Sequence, residues 1–295
     1  MSVREDVSFR SGDDTCAAWL YRTEDAASLG ACVVMAHGFS MTRHDGLETY
    51  AEALAGAGAA VLVFDHRYLG DSGGRPRQHF RIKKQEQDYE AAVAYARSLP
   101  GIDTERIIVW GFSFSGGTAV NVAAKDARIA GAMLMCPFLD GAPRVLGTVR
   151  RTPLVAARVM LRAIKDLAGS HTLIPVTGPP GDLAAMAFEG EAEGFAASAP
   201  ASSPWRNEIS PGIFATVALH RPVRKAAKLA MPVWVGLGER DITVSRKAIE
   251  RLAAKAPHAE LHRYNVDHFE PFYGDEPAAI AADQAEWFKR SGLAD

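Results

Sequence analysis

The sequence predicts an α/β fold: a mostly parallel central sheet with helices on both faces. Three observations carry this. Several apolar runs of five to seven residues, such as Ala31 to Ala36, Ala59 to Phe64 and Ile129 to Met135, show no polar alternation, as strands buried on both faces require. Between them lie segments whose apolar residues recur at helical spacing. The connections are short, and strand and helix exchange four times before residue 141, the rhythm of a parallel sheet.

Taken in order, Val7 to Phe9 and Cys16 to Tyr21 flank Ser11-Gly12-Asp13-Asp14, a turn sequence that predicts an antiparallel hairpin. The first buried strand, Ala31 to Ala36, ends in His37-Gly38-Phe39. Leu47, Tyr50, Ala51 and Leu54 then mark a helix that Gly56 and Gly58 stop before strand Ala59 to Phe64. A further helix carries Tyr89, Ala92, Val93, Ala96 and Leu99 and closes at Pro100-Gly101. Strand Ile107 to Trp110 leads into Gly111-Phe112-Ser113-Phe114-Ser115-Gly116, after which a helix is expected over Thr118 to Lys125 and a strand over Ile129 to Met135.

The rhythm then breaks from about 141 to 225, where no buried strand is visible. Thr152-Pro153 opens a helix expected to turn Val155, Val159, Ile164 and Leu167 largely to one face, and a Pro/Gly/Ala-rich passage follows from Ile174 to Pro204. An insertion of this length between strands reads as a lid, so residues 1–140 and 226–295 are assigned to the core and 141–225 to a mainly helical cap. Alternation resumes with strand Pro232 to Leu237, helix Ser245 to Lys255, strand Glu260 to Tyr264 and a last helix from Pro277.

Size and charge limit the functional classes. At 295 residues, surface scaling gives roughly 12,000 Å² folded against about 46,000 Å² unfolded, enough burial for a large core without cross-links. The net charge of -2, from 33 basic and 35 acidic residues, gives no reason to expect nucleic acid or an anionic membrane as partner. Cys16, Cys32 and Cys136 are scattered in the manner of small core hydrophobes in a reducing compartment. With no visible signal peptide or membrane span, a cytoplasmic location is expected, and a homodimer is left open.

In a parallel sheet, ligands meet the carboxyl ends of the strands. A serine on a tight turn between strand and helix is lifted there, so Ser113 is the candidate nucleophile. A serine hydroxyl needs a base, and the base needs an orienting acid. Downstream strand ends offer Asp241 after strand 232–237 and His268 after strand 260–264. Asp140 competes as the acid, Asp267 adjoins the histidine, and Ser115 is a second candidate nucleophile.

Five segments in this order resemble the α/β-hydrolase superfamily, in particular dienelactone-hydrolase-like and serine-aminopeptidase-like esterases with a helical cap. They are His37-Gly38-Phe39, Phe64-Asp65-His66-Arg67 with Gly70-Asp71-Ser72, the serine turn, Gly238-Glu239-Arg240-Asp241, and Asp267-His268-Phe269. Ser115 departs from the glycine usual in that family.

The resemblance implies Ser113 as nucleophile, His268 as base, Asp241 as orienting carboxylate, and the backbone N–H groups of Phe39 and Phe114 as the oxyanion hole. It implies a small-molecule ester substrate, while no spacing of histidines, acids and cysteines suggests a metal, and no cofactor is expected. Thioester or lactone cleavage, acyl transfer and aminopeptidase action stay open, as does a non-catalytic binding protein on the same fold. His37 is expected to shape the oxyanion loop, Asp65 and Arg67 to form a buried pair, and Glu189, Glu191 and Glu193 to lie on a solvated cap surface. Met186, Phe188, Phe195, Trp205, Ile213 and Phe214 are the candidates for an apolar pocket.

Overall fold

The strands lie in the spatial order β1-β2-β4-β3-β5-β6-β7-β8, an eight-stranded sheet. They are β1 (Ser2–Ser11), β2 (Asp14–Thr23), β3 (Cys32–Ala36), β4 (Ala60–Phe64), β5 (Ile107–Phe112), β6 (Ile129–Met135), β7 (Val233–Gly238) and β8 (Ala259–Tyr264). The computed structural model describes residues 2–23 and 30–294. The β1–β2 hairpin pairs antiparallel with β4, and all remaining pairings are parallel.

Every residue of β3, β4 and β5 is buried, which is why these strands read as unbroken apolar runs. The peripheral β8 is only partly buried and accordingly mixes Glu260, His262 and Arg263 with Leu261 and Tyr264. Helix α1 (Glu48–Gly56) packs with the C-terminal helix α8 (Glu276–Arg290). On the other face lie α2 (Ile82–Ser98) and α3 (Ser113–Ala123), and α7 (Arg246–Lys255) packs on the 3₁₀ segment Pro222–Lys228 that also meets α3. Trp110, Trp234 and Trp287 are fully buried, and the Trp110 indole donates to Gln284 Oε1 at 2.6 Å, joining β5 to α8. The accessible surface of 12131 Å² agrees with the scaling value for one compact unit of this length.

Between β6 and β7 the chain forms α4 (Gly141–Arg151), α5 (Pro153–Leu167), α6 (Glu191–Ser198) and three 3₁₀ segments. Of these helices the sequence pattern predicts α5 alone. Helix α4 is capped by Asp140, whose carboxylate accepts from the Ala142 amide at 3.2 Å, and α5 starts with proline at its first position. The expected inward face of α5 is wrong at its C-terminal half. Val159, Ala163 and Asp166 are buried, whereas Ile164 and Leu167 are 56% and 51% exposed. Asp166 takes the inward position because it accepts from Arg81 and from the Gly212 amide, at 2.7 and 2.9 Å.

Candidate active site

Helix α3 begins at Ser113 itself, five residues earlier than the pattern from Thr118 suggests. Strand β5 therefore turns into helix with no intervening loop. Ser113 is held at φ 51°, a left-handed conformation that a non-glycine residue adopts only when its surroundings impose it. The small neighbours make this turn sterically feasible. A Cβ on Gly111 would stand 2.4 Å from the Ser115 carbonyl oxygen, and one on Gly116 would stand 2.7 Å from Pro137 Cβ. Ser115 is tolerated where the family usually has glycine because its hydroxyl lies 3.3 Å from His66 Nε2 in a buried polar pair.

The carboxyl ends of β5, β7 and β8 then bring three side chains together. His268 Nε2 lies 2.9 Å from Ser113 Oγ, and His268 Nδ1 lies 2.6 Å from Asp241 Oδ2. A carboxylate only accepts, so Nδ1 carries the imidazole proton and Nε2 is left to accept from the serine hydroxyl. The other oxygen of Asp241 accepts from the amides of Thr243 and Val244 at 2.8 and 3.1 Å, which fixes the carboxylate plane. The imidazole packs on the Phe112 ring, 4.8 Å between centroids.

The competing residues are engaged elsewhere. Asp140 caps α4 and pairs with Arg221 at 2.8 Å. Asp267 accepts from the amides of Phe269 and Glu270, so it turns its own loop.

Phe39, Phe114 and Ser113 border one cleft. The Phe39 and Phe114 amides have no hydrogen-bond acceptor among the described residues, and Phe114 lies in the first turn of α3, where backbone N–H groups point outward with the positive end of the helix dipole. His37 is wholly buried behind them. Its Nδ1 lies 2.9 Å from the Gly38 carbonyl, and burial, aided by the neighbouring His66, pushes its pKa down to about 3. A neutral, fixed ring suits the structural role expected of it.

The expected Asp65–Arg67 pair does not form. Asp65 pairs with Arg43 and Arg67 with Asp88, all four buried, so each charge is matched by a residue distant in sequence. Both pairs still brace the loops next to the serine turn.

Two clusters carry metal-ligating residue types among the described residues: Cys136, Asp241 and His268, and His44, Asp65 and Asp71. In the first, burial and the adjacent Asp241 hold the Cys136 thiol well above its usual range, and the histidine Nδ1 is already committed to the carboxylate. In the second, the Arg43 guanidinium already bridges both aspartates. Neither set offers vacant donors.

The cleft has a volume of about 150 Å³. Of the pocket candidates, Met186, Ile213 and Phe214 line it. Phe195, Trp205 and Phe188 do not. Phe195 packs at a tilt against Trp205 and Phe269, 4.7 and 5.6 Å between ring centroids, seating α6 on the loop that carries His268. Phe188 lies under the guanidinium groups of Arg144 and Arg151. The largest share of the wall comes instead from α4 and α5, through residues such as Val145, Thr148, Val149, Val155, Val159 and Met160. The signal for α4 in the sequence is Asp140, which serves as an N-cap rather than as a rival acid.

Glu191 corrects a second expectation. It is buried, pairs with Arg144 at 2.9 Å, and accepts from the Thr243 hydroxyl at 3.0 Å, so it joins the cap to the loop of Asp241; Glu189 and Glu193 are not buried.

Fold and site together define an α/β hydrolase. The chain belongs to the family described as serine aminopeptidase, S33, whose model matches residues 27–269. It is 36% identical to the quorum-quenching protein AidA of Acinetobacter baumannii over 292 residues, 97% of this chain and 94% of that one. A thiohydrolase of Aspergillus aculeatus, aneE, is 39% identical over 137 residues, 44% of this chain and 43% of its own. Among solved structures, DcsB in complex with its substrate analogue superposes with a TM-score of 0.81 at 21% identity, covering 98% of this chain and all of that one. The α/β hydrolase GrgF of Penicillium does so at 0.78 and 22%, with 98% and 99% covered.

Proposed function

We propose that this hydrolase cleaves a carboxylic ester of a small to medium, partly apolar substrate through an acyl-enzyme on Ser113. The observation that carries the reading is the unbroken hydrogen-bond chain from Ser113 through His268 to Asp241 at the floor of an apolar cleft. Ser113 Oγ attacks the ester carbonyl carbon while its proton passes to His268 Nε2. The resulting oxyanion is received by the Phe39 and Phe114 amides, each such donor contributing about 3 kcal/mol to the transition state. Collapse expels the alcohol, which takes the proton from His268. Water then attacks the acyl-enzyme with His268 as base, and the acid leaves. Asp241 stays ionised throughout and stabilises the imidazolium.

The valine, methionine and phenylalanine lining favours an uncharged acyl or alcohol group. Among the described residues no carboxylate lines the cleft, and Glu191 is occupied by Arg144 and Thr243. An anchor for a free amine is therefore lacking, which disfavours aminopeptidase action despite the family's description. Thioester or lactone cleavage is the second reading, favoured by relatives described as a thiohydrolase and a quorum-quenching protein.

A panel of p-nitrophenyl esters of increasing acyl length, with thioesters, lactones and amides alongside, separates these readings. The expected result is an ester optimum, labelling of Ser113 by a fluorophosphonate, and loss of both in Ser113→Ala. Full turnover in that variant would sink the proposal, and a preference for thioester or lactone would select the second reading.

A further inference from the structure

Ten large hydrophobic side chains are exposed among the described residues, and seven of them sit on α4 and α5. On α5, Leu154, Leu161, Ile164 and Leu167 are 51–74% exposed. At about 100° per residue they fall on one arc of roughly 140°. Val149 and Met160, at the edge of this surface, also line the cleft that reaches Ser113, so the apolar face borders the cleft.

The exposed charge carried by the two helices is of one sign. Arg150, Arg151, Arg158, Arg162 and Lys165 project from the two helices, and their single acid, Asp166, is buried against Arg81. Arg158, Arg162 and Lys165 edge the arc on one side and, with Leu161, Thr172 and Leu183, line a surface recess. An exposed helix with an apolar arc flanked by bases is the arrangement that settles at a lipid–water boundary, with apolar side chains among acyl chains and bases at the headgroups.

We infer that the α4–α5 face docks on an anionic lipid bilayer and presents the cleft mouth to molecules partitioned there. A second copy of the chain fits this face poorly, because a two-fold contact would set five bases against five. The expectation of no membrane partner, drawn from a net charge of -2, averages over a surface whose charge is locally uneven.

Sedimentation of full-length Ser113→Ala with phosphatidylcholine vesicles, with and without phosphatidylglycerol, tests this. Docking is read on the serine variant, so it stands or falls separately from the hydrolytic reading. The expected result is binding to the anionic vesicles that weakens as salt is raised. Arg158→Gln and Lys165→Gln should each lower partitioning about fivefold, and together about 25-fold. Leu161→Glu with Ile164→Glu should abolish it while the circular dichroism spectrum stays unchanged. In the active enzyme that pair should leave turnover of a short water-soluble ester intact, since neither residue lines the cleft. No binding to anionic vesicles, or binding that survives the double glutamate variant, overturns the inference. So does a dimer by light scattering that Leu161→Glu dissociates while vesicles go unbound, which would assign the face to a second copy.

Discussion

At the scale of the residue, Ser113, His268 and Asp241 come from three strand ends and meet within hydrogen-bond reach. Their spacing in sequence carries no sign of this proximity; the parallel order of β5, β7 and β8 does. The carboxylate of Asp241 matters because it selects the imidazole tautomer. Asp241→Asn would reverse the donor and acceptor roles at Nδ1 and should lower kcat by about 10³ to 10⁴ with the fold retained. Asp140→Asn should change kcat by no more than a few-fold, since asparagine caps a helix as well as aspartate does. Steady-state kinetics on both variants decides the matter, and equal losses would refute the assignment of Asp241.

At the scale of the element, two glycines illustrate opposite constraints. Gly111→Ala would drive a Cβ into the Ser115 carbonyl oxygen, only 2.4 Å away, and should destabilise the fold by several kcal/mol. Gly147 lies inside α4, and a methyl group added there would meet no atom within 4 Å, so Gly147→Ala should stabilise by about 1 kcal/mol through helix propensity. Thermal melts of the pair should move in opposite directions. The cap is tied to the acid loop by one buried group. Glu191→Gln leaves Arg144 without its counter-charge and should cost about 3 kcal/mol. Urea unfolding would measure this, and a rise in KM would show that the cap wall has loosened.

At the scale of the whole molecule, buried neutral histidines set the response to acid. Burial lowers His37 to a pKa of about 3 and His220 to about 4, the latter stacked on Phe114 and Phe138. Above the ordinary histidine value both are neutral whether the chain is folded or not, and they add no pH dependence. As pH falls below about 6.5 the unfolded chain takes up protons that the folded one refuses, so each group subtracts up to about 1.4 kcal/mol per pH unit down to its folded pKa. Urea midpoints should therefore fall between about pH 6.5 and about pH 4. A midpoint unchanged over that window would contradict the buried neutral state.

Legible in the sequence are the α/β architecture, the succession of strands along the chain, and a short set of strand-end candidates, Ser113, His268 and Asp241 with Asp140 as the rival acid; the structure brings the first three within hydrogen-bond reach. These are local signals: apolar runs mark buried strands, and functional side chains follow at strand ends whose location is common to every parallel sheet. Tertiary structure alone decided the wall of the cleft. Helix α4 carries Pro143 in its first turn and Gly147 in its interior, which read as breakers although its apolar residues share a face, and it supplies wall expected of Phe188, Phe195 and Trp205. Those aromatics turn instead to Arg144, to one another and to Phe269. Which face of an irregular segment turns inward is set by partners distant in sequence, and no local period encodes them. The burial of Glu191 beside solvent-facing acids, and the exchange of partners between Asp65 and Arg67, have the same cause.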